Sequence, residues 1–367
     1  MILGVDVSTY LEELSLGAKY YDGDAEIDPL DTFRQNGVDF MRIRLWNDPF
    51  DERGEPYLAG NCDIENYIRL ATLAKSKGFR LLLDFHYSDF WADPGKQVVP
   101  KAWADYSIDE LVRAVYEFTK ESLAAARDAD VLPDMIQVGN EITNGMLWPH
   151  GKLEDGQGVR GNYEQFCRLV HAGCCACRSI APDAKIVLHL ERSNNAAVYQ
   201  EFFGEMQKAN IDFDVIGASY YPYWHGTPDE LFENLEACRC FGKDIMIVEL
   251  GYGFTTLPYS LDGEQKRLVI DAERAYVAGF TEQYPITPDG QAAFVRDFIA
   301  RAKEQGIDGI FYWEPLWLPG KGICWASEAG QAYIREQGKS TANEWANQCL
   351  FDYKGKKLPA FDEYRIQ

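Results

Sequence analysis

Residues 135–142 read Met135-Ile136-Gln137-Val138-Gly139-Asn140-Glu141-Ile142. The opening is short, apolar and β-branched, and Pro133-Asp134 precedes it, which is the signature of a buried strand. It ends on an amide and a carboxyl at the mouth of an apolar run. A carboxyl placed there must be hydrogen-bonded, change its protonation state or do chemistry, because burying it bare costs several kcal/mol. The same pattern returns about a hundred residues later in Asp244-Ile245-Met246-Ile247-Val248-Glu249. Two glutamates, each closing an apolar strand, organise the rest of the reading.

Outward from that stretch, eight strand-like runs alternate with helical ones. The strands are Ile2–Ser8, Asp39–Trp46, Arg80–Tyr87, Met135–Ile142, Lys185–Glu191, Val215–Tyr221, Ile245–Gly251 and Gly309–Glu314. Between them lie helices over Ile27–Asn36, Asp63–Lys77, Ser107 to Asp128, Asn162–Ile180, Ala196–Lys208, Pro228–Cys240 and Gln291–Glu304, with a last one at Glu328–Gln337. Ser107 and Glu110 form a capping box, and Gly37, Gly78 and Gly306 close helices. Continuously apolar strands separated by helices indicate a parallel sheet covered on both faces. Eight such units predict a closed (β/α)8 TIM barrel, one catalytic domain over residues 1–367. Helix-to-strand links are short, whereas the strand-to-helix links Ser88–Tyr106, Thr143–Gly161, Tyr252–Gly290 and Pro315–Ser327 are long. In this fold the long βα loops gather at the C-terminal face, where chemistry is done.

Composition narrows the partners. The net charge of −22 argues against nucleic acid or an anionic membrane surface, both of which need Lys/Arg stripes. No run of 18 apolar residues exists to span a bilayer. Nine cysteines cannot all pair, and none falls in a zinc-type C-x2-C spacing with a partnering His, so buried free thiols are expected and no metal site. Met1-Ile2-Leu3-Gly4-Val5 runs straight into a strand without a charged leader. As given, the chain reads as cytoplasmic, though a secretion leader already removed leaves no trace. A monomer acting on a neutral substrate is expected.

The barrel brings the strand ends onto one rim: Arg44 and Trp46, Asp84 and His86, Asn140 and Glu141, His189, Tyr220 and Tyr221, Glu249, Trp313 and Glu314. Carboxyls, imidazoles and aromatic faces with almost no lysine suit acid/base work on a polyol held between aromatic platforms. Glycoside hydrolysis needs two carboxyls flanking the scissile bond, about 5–5.5 Å apart for retention and wider for inversion. One must stay protonated and the other ionised, so their surroundings must differ. Arg44 is expected to hold Glu249 ionised, with Tyr220 or Tyr221 donating to it. His86 and His189 read equally as substrate contacts or structural rim residues, Asp84 as a ligand or an acceptor inside the barrel, and Arg44 also as a core ion-pair partner. The loop Ser88–Gln97 adds Asp89 and Trp91, and Trp224 and Trp317 add further flat faces that pack the rim or stack on sugars.

Six segments carry a resemblance: GVD at Gly4–Asp6, RIRLWNDP at Arg42–Pro49, DFHYSDFWADPGKQ at Asp84–Gln97, QVGNEITNGMLWP at Gln137–Pro149, SYYPYWHG at Ser219–Gly226 and GIFYWEP at Gly309–Pro315. In that order, and over nearly the whole chain, they resemble glycoside hydrolase family 53, the endo-β-1,4-galactanases. The resemblance implies a retaining endo-acting hydrolase of β-1,4-galactan, the arabinogalactan side chains of pectin. It implies Glu141 as acid/base and Glu249 as nucleophile, with Arg44, Asn140 and Tyr221 or Tyr220 in support. It implies no cofactor, although several bacterial members carry a structural calcium after strand seven. Here Thr255–Gly263 holds one carboxylate, Asp262, and the nucleophile is followed by Leu250-Gly251-Tyr252-Gly253-Phe254 rather than the usual stretch. Three alternatives stand beside this one: the same barrel cutting mannan or glucan, a carbohydrate-binding barrel without turnover, and a metal-dependent enolase-type barrel. The last wants a rim lysine, and both glutamates are present against the second.

Overall fold

The eight apolar runs form a closed, all-parallel barrel in which every strand pairs with its sequence neighbours and the last with the first. A computed structural model of the protein describes residues 1–154, 160–277, 279–339 and 344–366. Positions 155–159 of the loop expected after strand four, and 278 of that after strand seven, lie outside them. The strands are β1 (Ile2–Asp6), β2 (Phe40–Leu45), β3 (Arg80–Phe85), β4 (Met135–Val138), β5 (Lys185–Leu190), β6 (Val215–Tyr220), β7 (Asp244–Leu250) and β8 (Gly309–Trp313). Each coincides with an expected run to within a few residues.

The largest difference is in the deciding stretch itself. β4 stops at Val138 rather than Ile142, because Gly139 (φ 87°) and Glu141 (φ 48°) are left-handed and turn the backbone out of the sheet. Such a conformation costs a non-glycine residue about 1–2 kcal/mol. Tyr87, Arg192 and Glu314, at the ends of β3, β5 and β8, share it. Four of the strand ends at the rim thus carry left-handed non-glycine residues.

Side chains inside the barrel stack in layers. The floor is apolar: Phe40, Leu82, Met135, Val187, Val215, Met246, Val248 and Phe311. Gly4 belongs to this packing, since a Cβ there would lie 2.3 Å from the Phe311 ring. The next layer, two residues along each strand, is polar: Asp6, Arg42, Asp84, Gln137 and His189, all nearly or fully buried. A third cluster roofs the C-terminal end, with Trp46, Trp91, Trp313, Trp317 and Trp345 among its members. The larger core lies between strands and helices.

The helices run Pro29–Gln35, Ile64–Ser76, Ile108–Asp128, Tyr163–Ile180, Ala196–Lys208, Pro228–Ala237, Pro288–Glu304 and Glu328–Glu336. The Ser107/Glu110 capping box is formed. The short helices Tyr10–Ser15, Pro222–His225 and Pro359–Glu363 were not expected; each is too brief to show a helical period in the sequence. All nine cysteines are free, five of them buried. Among the described residues no helix is long and apolar enough to cross a membrane.

Candidate active site

A cavity of about 530 Å³ opens at the C-terminal end of the barrel, with Glu141 and Glu249 in its floor. Strand parity decides what else reaches it. On β7, Met246 and Val248 point inward, so strict alternation would turn Glu249 outward. A β-bulge shifts the register after Ile247, so that Ser219 pairs with Glu249 rather than Val248, and the carboxyl swings into the mouth. At the end of β6 Ser219 faces in, as does Tyr221 just beyond it. Tyr220 faces out, stacks on Phe298 at 5.2 Å and donates its hydroxyl to the Gly226 carbonyl.

Arg42 is the central cation. Its Nη1 reaches Asp6 Oδ2 at 2.8 Å, and its Nη2 reaches Asp84 at 2.9 Å, Asn140 Oδ1 at 2.9 Å and Glu249 Oε1 at 3.0 Å. This corrects the expectation for Arg44, whose Nη1 is taken by Glu314 Oε1 at 2.6 Å, two strands round the barrel, with its guanidinium 4.2 Å from the Trp91 ring centre. Arg44 therefore braces the wall behind Trp91. Tyr221 Oη donates to Glu249 Oε2 at 2.9 Å, which decides between the two tyrosines. Asn140, ordered by Arg42 and by its own donation to the Ala92 carbonyl at 2.9 Å, stands beside Glu141.

Of the residues singled out from sequence, His86, Trp91, Asn140, Glu141, Tyr221, Trp224, Glu249 and Trp313 line the cavity. Arg44, Trp46, Asp84, Asp89, His189 and Tyr220 do not. Trp46 packs against Phe90 and Trp91 inside the roof. Asp84 accepts from Arg42, Gln137 and His86 in the polar layer. Asp89 staples its loop by accepting the N–H groups of Asp48 and Lys101. His189 lies one layer below the cavity, against Ser219 and Asn140. Strand ends alone do not separate a side chain that reaches the mouth from one a residue deeper.

Sequence reasoning missed Asp93, Glu191, Arg192, His225, Trp325 and Trp345. Asp93 and His225 stood inside recognisable segments without a role, and Glu191 ended a strand. Trp325 comes from the loop after β8 and Trp345 from the C-terminal tail, and neither carried a periodic signal. Trp325 stacks on both Trp91 (4.5 Å) and Trp317 (5.1 Å), which also lie near-parallel to each other at 6.3 Å, and Trp345 meets Trp313 edge-on at 4.8 Å. These faces make the cavity walls flat and aromatic, a surface suited to pyranose rings.

The electrostatics separate the two carboxyls. Burial raises both. Glu249 is pushed up to about 7, with Arg42 and the Tyr221 hydroxyl opposing the rise. Glu141 is driven well above the usual carboxylate range by burial and then by the charges of Glu249 and Glu191, with the Ser219 hydrogen bond in opposition. When one proton is shared between them, it therefore sits on Glu141. Burial resists the charge of Asp84, yet Arg42 and His86 bring it net below its ordinary value. Burial lowers His86, His189 and His225, so all three imidazoles are neutral near pH 7.

Glu141, His189 and Glu249 bring potential ligand atoms within 4.8 Å of one another. They do not suit a cation: His189 Nδ1 accepts the backbone N–H of Glu141 and Nε2 bonds Ser219, so neither ring lone pair is free. Nor does Thr255–Gly263 fit calcium, because exposed Asp262 faces Lys321 at 3.9 Å, a competing cation.

A parallel barrel with two differently charged carboxyls among stacked indoles defines a glycoside hydrolase. The chain belongs to glycosyl hydrolase family 53, whose match runs over residues 2–364. It is 34% identical to an endo-beta-1,4-galactanase of Bacillus subtilis (strain 168), over 99% of this chain and 85% of that protein. It is 31% identical to an arabinogalactan endo-beta-1,4-galactanase of Cellvibrio japonicus (strain Ueda107), over 98% and 89%. The solved GH53 catalytic domain of Ignisphaera aggregans superposes with a TM-score of 0.87 at 40% identity, covering 99% of this chain and 95% of that one.

Proposed function

We propose that the protein is a retaining endo-β-1,4-galactanase. The observation that carries the mechanism is the carboxyl pair. An oxygen of Glu141 and one of Glu249 lie within 4.8 Å of each other, which favours the closer carboxyl pair of retaining enzymes, about 5–5.5 Å, over the roughly 6.5–9.5 Å of inverting ones. Galactan as the substrate rests on the names of the relatives, and the aromatic cavity agrees with it.

In this reading the Glu249 carboxylate, held by Arg42 and Tyr221, attacks the anomeric carbon. The C1–O bond to the leaving sugar breaks, and that oxygen takes the proton of Glu141. A water then gives its proton to the Glu141 carboxylate while its oxygen attacks C1, which releases Glu249 and restores the β configuration. Two carboxyls and water account for every atom, so no step needs a cofactor.

The test is Glu249→Ala assayed on linear β-1,4-galactan beside β-mannan and β-glucan. Wild-type enzyme is expected to cut galactan with internal scission and the variant to be inactive while its circular dichroism is unchanged. Wild-type preference for mannan or glucan would move the substrate, and a variant with near-normal turnover would remove the mechanism.

A further inference from the structure

The Ser219 hydroxyl on β6 sits between the two carboxyls. It is fully buried, 2.7 Å from Glu141 Oε1, 3.4 Å from Glu249 Oε2 and 2.8 Å from His189 Nε2. A hydroxyl has one proton to donate. Which carboxyl receives it depends on whether His189 donates to Ser219 or accepts from it.

The surroundings of His189 answer that. The backbone N–H of Glu141 points at Nδ1 at 3.3 Å, and the Gln137 Nε2 amide lies 3.1 Å from the same nitrogen. A backbone N–H cannot reverse its polarity, so Nδ1 is the acceptor. Asn140 Oδ1, 3.0 Å from Nδ1, already accepts from Arg42 and Gln137 and does not need a ring proton. The proton of the neutral imidazole is therefore on Nε2, which donates to Ser219 Oγ. The Ser219 proton is left to donate onward, and Glu141 Oε1 at 2.7 Å is the nearer acceptor.

We infer that Ser219, oriented by His189, is a positioning residue that dictates which oxygen of Glu141 carries the catalytic proton. Oε1 accepts from Ser219, and the carbonyl oxygen of a protonated carboxyl is the better acceptor, so the proton is favoured on Oε2. When Glu141 has given it up, the same hydrogen bond remains on the carboxylate and keeps it aimed for its turn as base. The groups facing this triad are Glu249 from β7, Glu191 beyond the end of β5, Asp93 from the loop after β3, Tyr221 from beyond β6 and Arg42 from β2. None of them takes the place of the Ser219 donor on Oε1. The inference rests on Glu141 as the acid/base.

The experiment compares Ser219→Ala with Glu141→Ala on two substrates. Linear galactan needs its leaving group protonated, whereas 2,4-dinitrophenyl β-galactobioside does not. The ratio of the two rates is independent of how much of a variant folds. Glu141→Ala is expected to lose about 10²–10⁴-fold on galactan and far less in forming the glycosyl-enzyme from the aryl substrate. Ser219→Ala should show the same pattern at about tenfold, in kcat rather than KM. Equal loss on both substrates, or no loss on either, for Ser219→Ala would overturn the inference while leaving the role of Glu141 intact. Equal loss on both for Glu141→Ala would instead remove the acid/base assignment and the inference with it.

Discussion

Glu141 and Glu249 are the same residue at nearly the same exposure, 9% and 5%, yet they stand in opposite fields. Glu249 meets a guanidinium at 3.0 Å and a phenol at 2.9 Å. Glu141 meets one serine hydroxyl and the negative charges of Glu249, Glu191 and Asp93. Burial alone gives no asymmetry between two glutamates, so the neighbours assign the roles: the ion goes where the cation is, and the proton goes to the other side.

The most severe way to break this comparison is to delete each carboxyl and supply azide. Glu249→Ala is expected to lose about 10⁴-fold or more on galactan and, with an activated aryl galactoside, to form the α-galactosyl azide. Glu141→Ala should form the β-azide, because there azide replaces the water that attacks the glycosyl-enzyme. Product anomers determined by proton NMR, if swapped, would exchange the two roles. Next in size is the tyrosine pair. Tyr221→Phe removes a hydrogen bond to a charged group and should cost about 10–100-fold in kcat/KM. Tyr220→Phe, on the opposite face of the same strand, should leave turnover within about twofold while losing about 1 kcal/mol in urea unfolding.

Titration sharpens the same contrast. Turnover requires Glu249 ionised and Glu141 protonated, so kcat/KM against pH should be bell-shaped. Its acid limb falls as Glu249 takes a proton below about pH 7, and its alkaline limb as Glu141 loses one. Both apparent constants belong to the coupled pair. Glu249→Gln should abolish the bell along with the activity, whereas Tyr221→Phe should move the acid limb upward, since the phenol opposes protonation.

The smallest effect is on stability. The folded state raises the pKa of Glu141, so that group contributes stability that is full below its unfolded value and lost as pH rises through the folded one. The isosteric amide of Glu141→Gln escapes that loss. Its Tm should exceed the wild-type value by about 1–3 °C at alkaline pH, with the gap closing near pH 4. A gap that grows on acidification would mean that Glu141 is stabilised as an anion, contrary to its surroundings.

How far the sequence could be read follows the same logic. Eight apolar runs interleaved with helices state the barrel directly, since each run must bury both faces. The Asn140-Glu141 and Glu249 termini likewise announced polar groups at apolar strand ends. The choice between Arg42 and Arg44, however, was not legible. Both alternate inward on β2, and only the reach of Glu314 from β8 shows that Arg44 is already engaged. Position along the strand left Tyr220 and Tyr221 open, and the resemblance pointed to Tyr221 with Tyr220 competing; the hydrogen bond of Tyr221 to Glu249 settles it. Asp84 and His189 stood near strand ends but fill the layer below the cavity.

By itself, the order of residues determined the periodicity, the eight-unit barrel and the two acidic strand ends, because these are local patterns of polarity along the chain. The tertiary structure alone decided which way Glu249 faces, through a bulge whose extra residue is invisible without a partner strand. It also decided which arginine serves it, and that Trp325 from the loop after β8 and Trp345 from the tail come together to wall the cavity. Those outcomes depend on distances between segments far apart in the chain, and such distances exist only once the barrel has closed.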